Sequence, residues 1–217
     1  MRLTHLGHAC LLVETGGQRI LIDPGVFSPA IVDVTGLDVI LITHQHADHV
    51  DLQRLPAMLD INPQARLYAE PQAAAVMAEA GMGSEHTVAG EPLTFGRVQI
   101  TPVGEKHALI NEALPRIGNL GVVLRSEGEP SLFHPGDAYD GEPGQVDILA
   151  LPLSAPWTAS RDTVAFAQRI APRVSVPIHD VLLSAIGRQL YLSQVQSLGP
   201  ESMEVRDLGD GVGVDFS

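Results

Sequence analysis

Cysteine and long apolar runs are both scarce in this sequence of 217 residues. Cys10 is the one cysteine, which excludes an intrachain disulfide, and nothing in the composition indicates secretion. No apolar run approaches the roughly 18 to 20 residues of a membrane span, and residues 1–5 do not resemble a signal peptide. We therefore expect a cytoplasmic protein without a membrane span.

Positive charge is also scarce. Lysine and arginine together number 13 against 26 aspartates and glutamates, which gives a formal net charge of −13 with histidine neutral. Such a surface repels nucleic acid and anionic membranes on average, although bound divalent cations reverse the field locally. The charge disfavours nucleic acid as a partner, and we expect a small-molecule substrate.

Two common catalytic motifs are absent from the chain. It contains no Gly-x-Ser-x-Gly segment and no phosphate loop of the form Gly-x4-Gly-Lys-Ser/Thr. Their absence weakens a serine hydrolase and a nucleoside triphosphatase as functions.

The chain length and the pattern of apolar runs predict one compact domain over residues 1–217. Short apolar runs predict strands over residues 3–6, 9–14, 19–22, 38–43, 93–101, 120–124, 131–133, 146–151 and 174–177. Helices are predicted over residues 51–59, 71–80, 161–170 and 189–198, and a terminal hairpin over residues 204–216. This order indicates an α/β fold with sheets inside and helices outside.

The strongest signal is an apolar strand that runs directly into a cluster of metal-binding residue types. Residues 39–49 read Val-Ile-Leu-Ile-Thr-His-Gln-His-Ala-Asp-His. Imidazole and carboxylate groups suit zinc and related divalent ions. Extended backbone would send the rings of His44 and His46 to the same side, whereas Asp48 and His49 would point differently. This divergence favours two adjacent metals, one on each pair of residues.

A purely structural metal is the alternative explanation of this cluster. Structural zinc sites are usually rich in cysteine and closed to substrate, whereas this cluster contains no cysteine. The residue types therefore favour a catalytic centre and leave the structural site open as a second interpretation.

The cluster resembles the signature of the metallo-β-lactamase superfamily, His-x-His-x-Asp-His after an apolar strand, and it matches at His44, His46, Asp48 and His49. The resemblance implies a four-layer αβ/βα sandwich and further ligands in a set order. These are a third histidine for the first metal, a Gly-Asp whose carboxylate bridges both metals, and a last histidine for the second metal. The candidates are His107, Asp137 and His179.

Two segments near the N-terminus resemble a narrower branch of that superfamily, which includes L-ascorbate-6-phosphate lactonase-like proteins. They are Leu6-Gly7-His8-Ala9 and Ile20-Leu21-Ile22-Asp23-Pro24. The resemblance implies that Asp23 orients a metal ligand, and an aspartate in a turn before proline is the alternative. His8 is a candidate to support the metals or contact the substrate.

Four other side chains lie next to the predicted site segments. Tyr139 and Trp157 follow predicted strands and are candidates for pocket walls or for simple packing. Lys106 precedes His107 and is a candidate for attracting a substrate anion or for a solvated surface residue. His134 lies three residues before Asp137, and we interpret it as a strand-end histidine without a metal role.

These residues predict a hydrolase with a dinuclear centre of two divalent ions, zinc by ligand type, with Mn²⁺ or Fe²⁺ as alternatives. A metal-bound hydroxide would attack a lactone, ester, thioester or amide, and Asp48 would orient the nucleophilic water. The alternatives are a phosphodiesterase and a redox or non-catalytic metal protein.

Overall fold

The structure, a computed structural model that describes residues 1–217, contains two seven-stranded sheets. The strands are β1 (Arg2–Gly7), β2 (Cys10–Thr15), β3 (Gln18–Ile22), β4 (Val39–Ile42), β5 (Arg66–Ala69), β6 (Glu85–His86), β7 (Leu93–Phe95), β8 (Val98–Val103), β9 (Gly121–Ser126), β10 (Leu132–His134), β11 (Ile148–Pro152), β12 (Val174–Ile178), β13 (Glu204–Val205) and β14 (Val214–Asp215). The helices are α1 (Leu55–Ile61), α2 (Pro71–Glu79), α3 (Ser160–Ile170) and α4 (Ala185–Leu198), with a short 3-10 helix at Pro29–Ile31.

Each sheet is covered by helices on one face and by the other sheet on its opposite face. The first sheet has the order β14-β1-β2-β3-β4-β5-β6, and the second has the order β13-β12-β11-β10-β9-β8-β7. A cluster of 21 buried residues from both sheets forms the central core. Two further clusters pack α1 and α2 against the first sheet and α3 and α4 against the second. The layers are therefore helix, sheet, sheet, helix.

Alternate side chains of β4 pack into two different hydrophobic cores. Val39 and Leu41 lie in the central core, whereas Ile40 and Ile42 pack against the helices of the first half. Successive side chains of a strand point to opposite faces, so a sheet covered on both sides needs a continuous apolar run. The four residues of β4 satisfy this condition and end directly before the metal-binding cluster.

Strand direction brings the ends of six strands to one edge of the sandwich. In the first sheet β1 and β3 are both antiparallel to β2, and β4 is parallel to β3, so all three run in the same direction. In the second sheet β8, β10 and β12 share a direction for the same reason. The segments that follow these strands contain all the predicted ligands.

The predicted terminal hairpin is wrong. β13 pairs with β12 in the second sheet, whereas β14 pairs with β1 in the first. The residues between them cross from one sheet to the other, and Leu208 is buried in the central core on the way. An isolated two-stranded hairpin is marginally stable in water, whereas each of these short strands extends an existing sheet.

Several other element boundaries differ from the predictions. Residues 93–101 form part of the hairpin of β7 and β8, because Gly96 adopts a positive φ of 56°. α1 begins at Leu55 instead of residue 51, because the Asp51 carboxylate accepts hydrogen bonds from the backbone N–H groups of Gln53 and Arg54. β5 and β6 were not predicted, and α4 begins four residues early.

None of the helices is both long and apolar enough to cross a membrane.

Glu129 joins the two sheets at the edge opposite the predicted ligands. Its carboxylate accepts hydrogen bonds from the Thr15 hydroxyl at 2.6 Å and from the Gly16 N–H at 2.8 Å. Burial alone would raise the pKa of Glu129, but these hydrogen bonds lower it from its usual 4.5 to about 2. The charged form of Glu129 therefore contributes stability above pH 4.5, which is lost as the pH falls towards 2.

We predict that Glu129→Gln lowers the free energy of unfolding by about 1 kcal/mol at neutral pH, because a neutral acceptor replaces a charged one. This difference in unfolding free energy should shrink as the pH falls below 4.5, where Glu129 of the wild type also becomes protonated. Urea unfolding across this pH range measures it. Glu127→Gln is the matched control, since Glu127 is exposed on the same turn. An equal deficit at all pH values would contradict the prediction.

Candidate metal centre

The segment after β4 forms a tight reversal that separates its four metal-binding residues. The backbone N–H groups of His49 and Val50 both donate to the His46 carbonyl at 3.0 Å. Nε2 of His44 lies 3.2 Å from Nδ1 of His46. The turn thus keeps His44 and His46 together and directs Asp48 and His49 away from them.

Asp23 supports this segment from the end of β3. Its fully buried carboxylate accepts hydrogen bonds from the Thr43 N–H at 2.8 Å and the Thr43 hydroxyl at 2.7 Å, and it lies 2.7 Å from Nδ1 of His49. Gly25 allows the close approach of the two loops, because a Cβ at this position would lie 1.8 Å from the Asp48 carbonyl oxygen. Asp23 therefore holds the His49 ring with Nε2 directed to the centre.

The structure brings all seven predicted ligands, together with His8, into two adjacent groups. Within each group the atoms able to bind a metal lie within 4.8 Å of one another. The first group contains His44, His46, His107 and Asp137. The second group contains His8, Asp48, His49 and His179. Each group draws on both sheets, so neither half of the chain holds a complete set.

Asp137 lies between the two groups. Its Oδ2 lies 3.4 Å from Nε2 of His107 in the first group and 3.2 Å from Nε2 of His179 in the second. Its Oδ1 lies 3.1 Å from Nε2 of His49. Asn119 fixes this turn by accepting a hydrogen bond from the Asp137 N–H at 2.9 Å. Gly136, with φ of 62°, is required because a Cβ would lie 2.3 Å from the Asn119 side-chain oxygen.

Hydrogen bonds to the outer ring nitrogens aim the histidines inward. Nδ1 of His107 lies 2.7 Å from the Ala108 carbonyl, and Nδ1 of His179 lies 2.8 Å from the Ser154 carbonyl. Nε2 of His49, His107 and His179 lie 3.1 to 3.4 Å from the Asp137 carboxylate without the alignment of a hydrogen bond, and Oδ1 of Asp137 has no aligned donor either. Buried polar atoms are normally paired, so converging unpaired imidazole and carboxylate atoms fit divalent metal ions.

The two groups differ in the protonation of their histidines. Burial lowers the pKa of both His44 and His46, which leaves them neutral and able to bind a metal. Burial alone would also lower the pKa of His179, but the charge of Asp137 outweighs it and raises the pKa to about 9. The pKa of His49 is raised for the same reason, by Asp137 and Asp23. In the metal-free protein these protons balance the buried carboxylates.

Backbone strain is concentrated at this centre. Four residues other than glycine have positive φ angles, and three of them are His8 at 52°, Asp23 at 50° and His179 at 56°. The His179 N–H donates to the His8 carbonyl at 2.8 Å, so two strained residues from different sheets hold each other. Left-handed conformations of such residues cost of order 1 to 3 kcal/mol each and cluster at functional sites.

The other four candidates take different positions. Lys106 is exposed, with its ammonium 3.8 Å from the Glu105 carboxylate. His134 is fully buried, and its two ring nitrogens contact the Ala9 carbonyl at 2.8 Å and the Gly136 N–H at 3.2 Å. Tyr139 packs on α3 and donates its hydroxyl to the Pro152 carbonyl at 2.6 Å. Trp157 reaches the centre, where its indole Nε1–H donates to Oδ2 of Asp137 at 2.8 Å.

Sequence reasoning missed three supporting residues, which are Asn119, Thr43 and Ser154. Their contacts join positions 18 to 25 residues apart, and no local spacing marks them. For Thr43 the position between an apolar strand and the first histidine was the one available signal. Asn119 and Ser154 lie in irregular connections that carry no motif.

Residues 2–179 match the model of a family described as the Beta-lactamase superfamily domain. The chain belongs to the metallo-β-lactamase superfamily. It is 40% identical over 206 residues to protein Rv0786c of Mycobacterium tuberculosis, covering 94% of this chain and 96% of that protein. It is also 30% identical over 200 residues to a UPF0173 metal-dependent hydrolase of Aeropyrum pernix, covering 82% of this chain and 81% of that protein. The relative from Aeropyrum pernix places the chain in the UPF0173 family.

A solved structure of Igni18, described as a novel metallo hydrolase from Ignicoccus hospitalis, shares the fold. It superimposes with a TM-score of 0.75 at 21% identity, and the match covers 100% of this chain and 99% of that one. At this identity the likeness concerns the fold alone. The prediction of a four-layer αβ/βα sandwich of the metallo-β-lactamase type is confirmed.

We predict that Asp23→Asn weakens metal binding by about 10- to 100-fold, because His49 loses the carboxylate that orients its ring. The metal-free variant should lose about 1 to 3 kcal/mol of unfolding free energy, since the amide cannot satisfy all the groups around it. Competition with a chromogenic chelator and urea unfolding measure the two effects. Asp33→Asn is the matched control, an exposed aspartate on the same connection between β3 and β4. Unchanged metal affinity in Asp23→Asn would contradict this role.

Proposed function

We propose that this protein is a metal-dependent hydrolase that holds two divalent ions and cleaves a lactone, ester, thioester or amide bond in a small substrate. The observation that carries the proposal is the convergence of unpaired imidazole and carboxylate atoms from two sheets on one buried centre. Curated relatives named UPF0173 metal-dependent hydrolases support the reaction class.

The two groups divide the ligands between two ions. His44, His46 and His107 would hold the first ion, and Asp48, His49 and His179 the second, with Asp137 shared. Zinc suits imidazole and carboxylate ligands, and the lack of a thiolate also admits Mn²⁺ or Fe²⁺. When bound, such ions lower the pKa of water to about 7 and polarise the substrate's carbonyl oxygen.

Residues of the chain itself orient the reacting groups. Asp48 is the least buried carboxylate of the centre, and its Oδ2 lies 3.1 Å from Nε2 of His8 and 3.5 Å from Nε2 of His179. We assign Asp48 to orienting the attacking water, with His8 holding the Asp48 side chain. Asp23 keeps the His49 ring fixed from behind.

A cleft of about 700 Å³ lies beside the centre, and its lining includes His8 but none of the seven candidate ligands. Phe27, Val181 and Leu183 form its apolar wall, and the Phe27 ring meets the His8 ring edge-on at 5.3 Å between centroids. We assign the substrate instead to the small depression beside His46 and His107, where Leu109, Ile110 and Leu114 place apolar side chains next to two candidate ligands. The His8 side chain has no exposed surface, so we assign it to holding Asp48 and not to contacting the substrate.

Cations around the centre are already paired, which favours an uncharged scissile group over a phosphodiester. Arg188, in the cleft, donates to Asp180 at 2.6 Å and to Asp207 at 2.7 Å. Arg54 is paired with Asp51, and Arg116 lies 3.7 Å from Asp140. A phosphate binds best to free arginine or lysine groups.

The likeness of residues 6–9 and 20–24 to the lactonase-like branch makes lactones the first substrates to test.

The proposal is tested by turnover of the metal-reconstituted protein on lactones, thioesters, aryl esters and bis-nitrophenyl phosphate. We expect hydrolysis of a carboxylic acid derivative that chelation abolishes and Zn²⁺ or Mn²⁺ restores. Far-ultraviolet circular dichroism should stay nearly unchanged on chelation, because the three apolar cores contain none of the ligands. Faster turnover of the phosphodiester would replace the proposed substrate class. Unfolding on chelation without any turnover would indicate a structural metal site.

We predict that Asp137→Asn binds the second ion more weakly and lowers kcat by at least about 100-fold, because the variant lacks the charge that offsets two dications. Elemental analysis and kinetics on the best panel substrate measure both effects. Asp140→Asn, an exposed change three residues away, should behave as wild type. Wild-type metal content and turnover in Asp137→Asn would show that this carboxylate is not shared.

A further inference from the structure

Trp157, the only tryptophan of the chain, lies in the connection of residues 153–159 between β11 and α3. Its indole Nε1–H donates to Oδ2 of Asp137 at 2.8 Å. An indole nitrogen is a donor and never an acceptor, so the direction of this hydrogen bond is unambiguous. The bond is the only hydrogen bond from outside the two ligand groups that reaches the Asp137 carboxylate.

The position of this bond determines which way the carboxylate faces. Oδ2 of Asp137 receives the indole N–H and also faces His107 and His179, which belong to different groups. Oδ1 faces His49 and has no hydrogen-bond partner. A single fixed donor on Oδ2 restricts rotation about the terminal torsion, which is otherwise broad for aspartate.

One hydrogen bond holds the connection that carries Trp157, and one aromatic contact holds the indole ring. The Leu153 N–H donates to the Ile178 carbonyl at 2.9 Å, which ties the start of the connection to the end of β12. The Trp157 ring packs edge-on against Tyr139 at 4.8 Å between centroids. The Tyr139 hydroxyl is anchored in turn to the Pro152 carbonyl and lies 2.9 Å from the Thr163 hydroxyl. The indole thus packs against a ring that is itself anchored to the end of β11 and to α3.

The same connection also orients a second ligand. The Ser154 carbonyl lies 2.8 Å from Nδ1 of His179, and the Ser154 N–H donates to the His179 carbonyl at 3.3 Å. Residues 153–159 therefore support one ligand of the second group and the carboxylate between the groups. This arrangement resembles the outer hydrogen bonds that orient ligands in metal sites generally.

We propose that Trp157 is a positioning residue, which holds the Asp137 carboxylate in the orientation that serves both metal ions. The inference rests on the proposed dinuclear centre. The indole acts through Asp137, so its loss should weaken metal binding and leave the metal-free fold in place. Loss of such an outer hydrogen bond typically costs 10- to 100-fold in metal affinity.

The test compares Zn²⁺ affinity and stoichiometry in the wild type, Trp157→Phe and the control Tyr191→Phe by competition with a chromogenic chelator. Trp157→Phe retains an aromatic ring against Tyr139 but lacks the N–H donor, and we expect at least one Zn²⁺ to bind about 10- to 100-fold more weakly. Tyr191→Phe removes a hydroxyl on α4 that belongs to neither ligand group, and it should keep wild-type affinity. Urea unfolding of the metal-free proteins reports stability separately.

The possible outcomes separate this inference from the proposed function. Two Zn²⁺ per wild-type chain with equal affinities in Trp157→Phe would overturn the role of Trp157 and leave the dinuclear centre intact. A wild type that binds no Zn²⁺ would overturn both. If Trp157→Phe fails to fold, benzothienylalanine can replace the single tryptophan during expression, because it keeps the shape of indole with sulfur in place of N–H. Wild-type Zn²⁺ affinity in that protein would also overturn the proposal.

Discussion

Apolar packing between the two sheets is the constraint on which the whole centre depends. The ligands come from both sheets, and neither sheet alone completes a group. The inner faces of the sheets share a core of 21 buried residues, whose burial is the main force that holds the two strand edges side by side. The contacts of about 3 Å between Asp137 and the histidines follow from this packing. Fold stability and site geometry are thus consequences of the same buried surface.

The centre itself lowers the stability of the fold, because it buries charged groups and contains strained backbone. Asp23 and Asp137 lie almost without solvent. Donors from Thr43 and His49 compensate the Asp23 carboxylate, whereas histidines of both groups and the Trp157 indole compensate that of Asp137. His8 and His179 adopt left-handed conformations and are joined by a backbone hydrogen bond across the sheets. The surrounding rigid structure therefore maintains an arrangement that these residues would not adopt alone. Metal ions would relieve the charge part of this cost by replacing protons on the histidines.

Much of the fold and the candidate ligand set was predictable from local features of the sequence. The apolar run of residues 39–42 predicted a strand buried on both faces, and the spacing of His44, His46, Asp48 and His49 indicated two metals. The order of His107, Asp137 and His179 along the chain, compared with the superfamily pattern, picked out residues that the structure places in the two groups. The strand prediction succeeded because strand alternation is a property of neighbouring residues, and the candidate ligands could be found because their spacing is one as well.

Only the tertiary structure decided which residues support the ligands and which sheets the C-terminal strands join. Trp157 and Asn119 reach Asp137 from 20 and 18 residues away, and no local pattern distinguishes them from packing or turn residues. The tail was predicted as a hairpin, yet its strands pair with edges of opposite sheets. By itself the sequence determined most of the strands and the types and order of the candidate ligands, because these depend on short-range spacing. The pairing of Arg188 with two aspartates, the partners of Asp137 and the course of the tail depend on long-range contacts, which exist only once the sheets have packed.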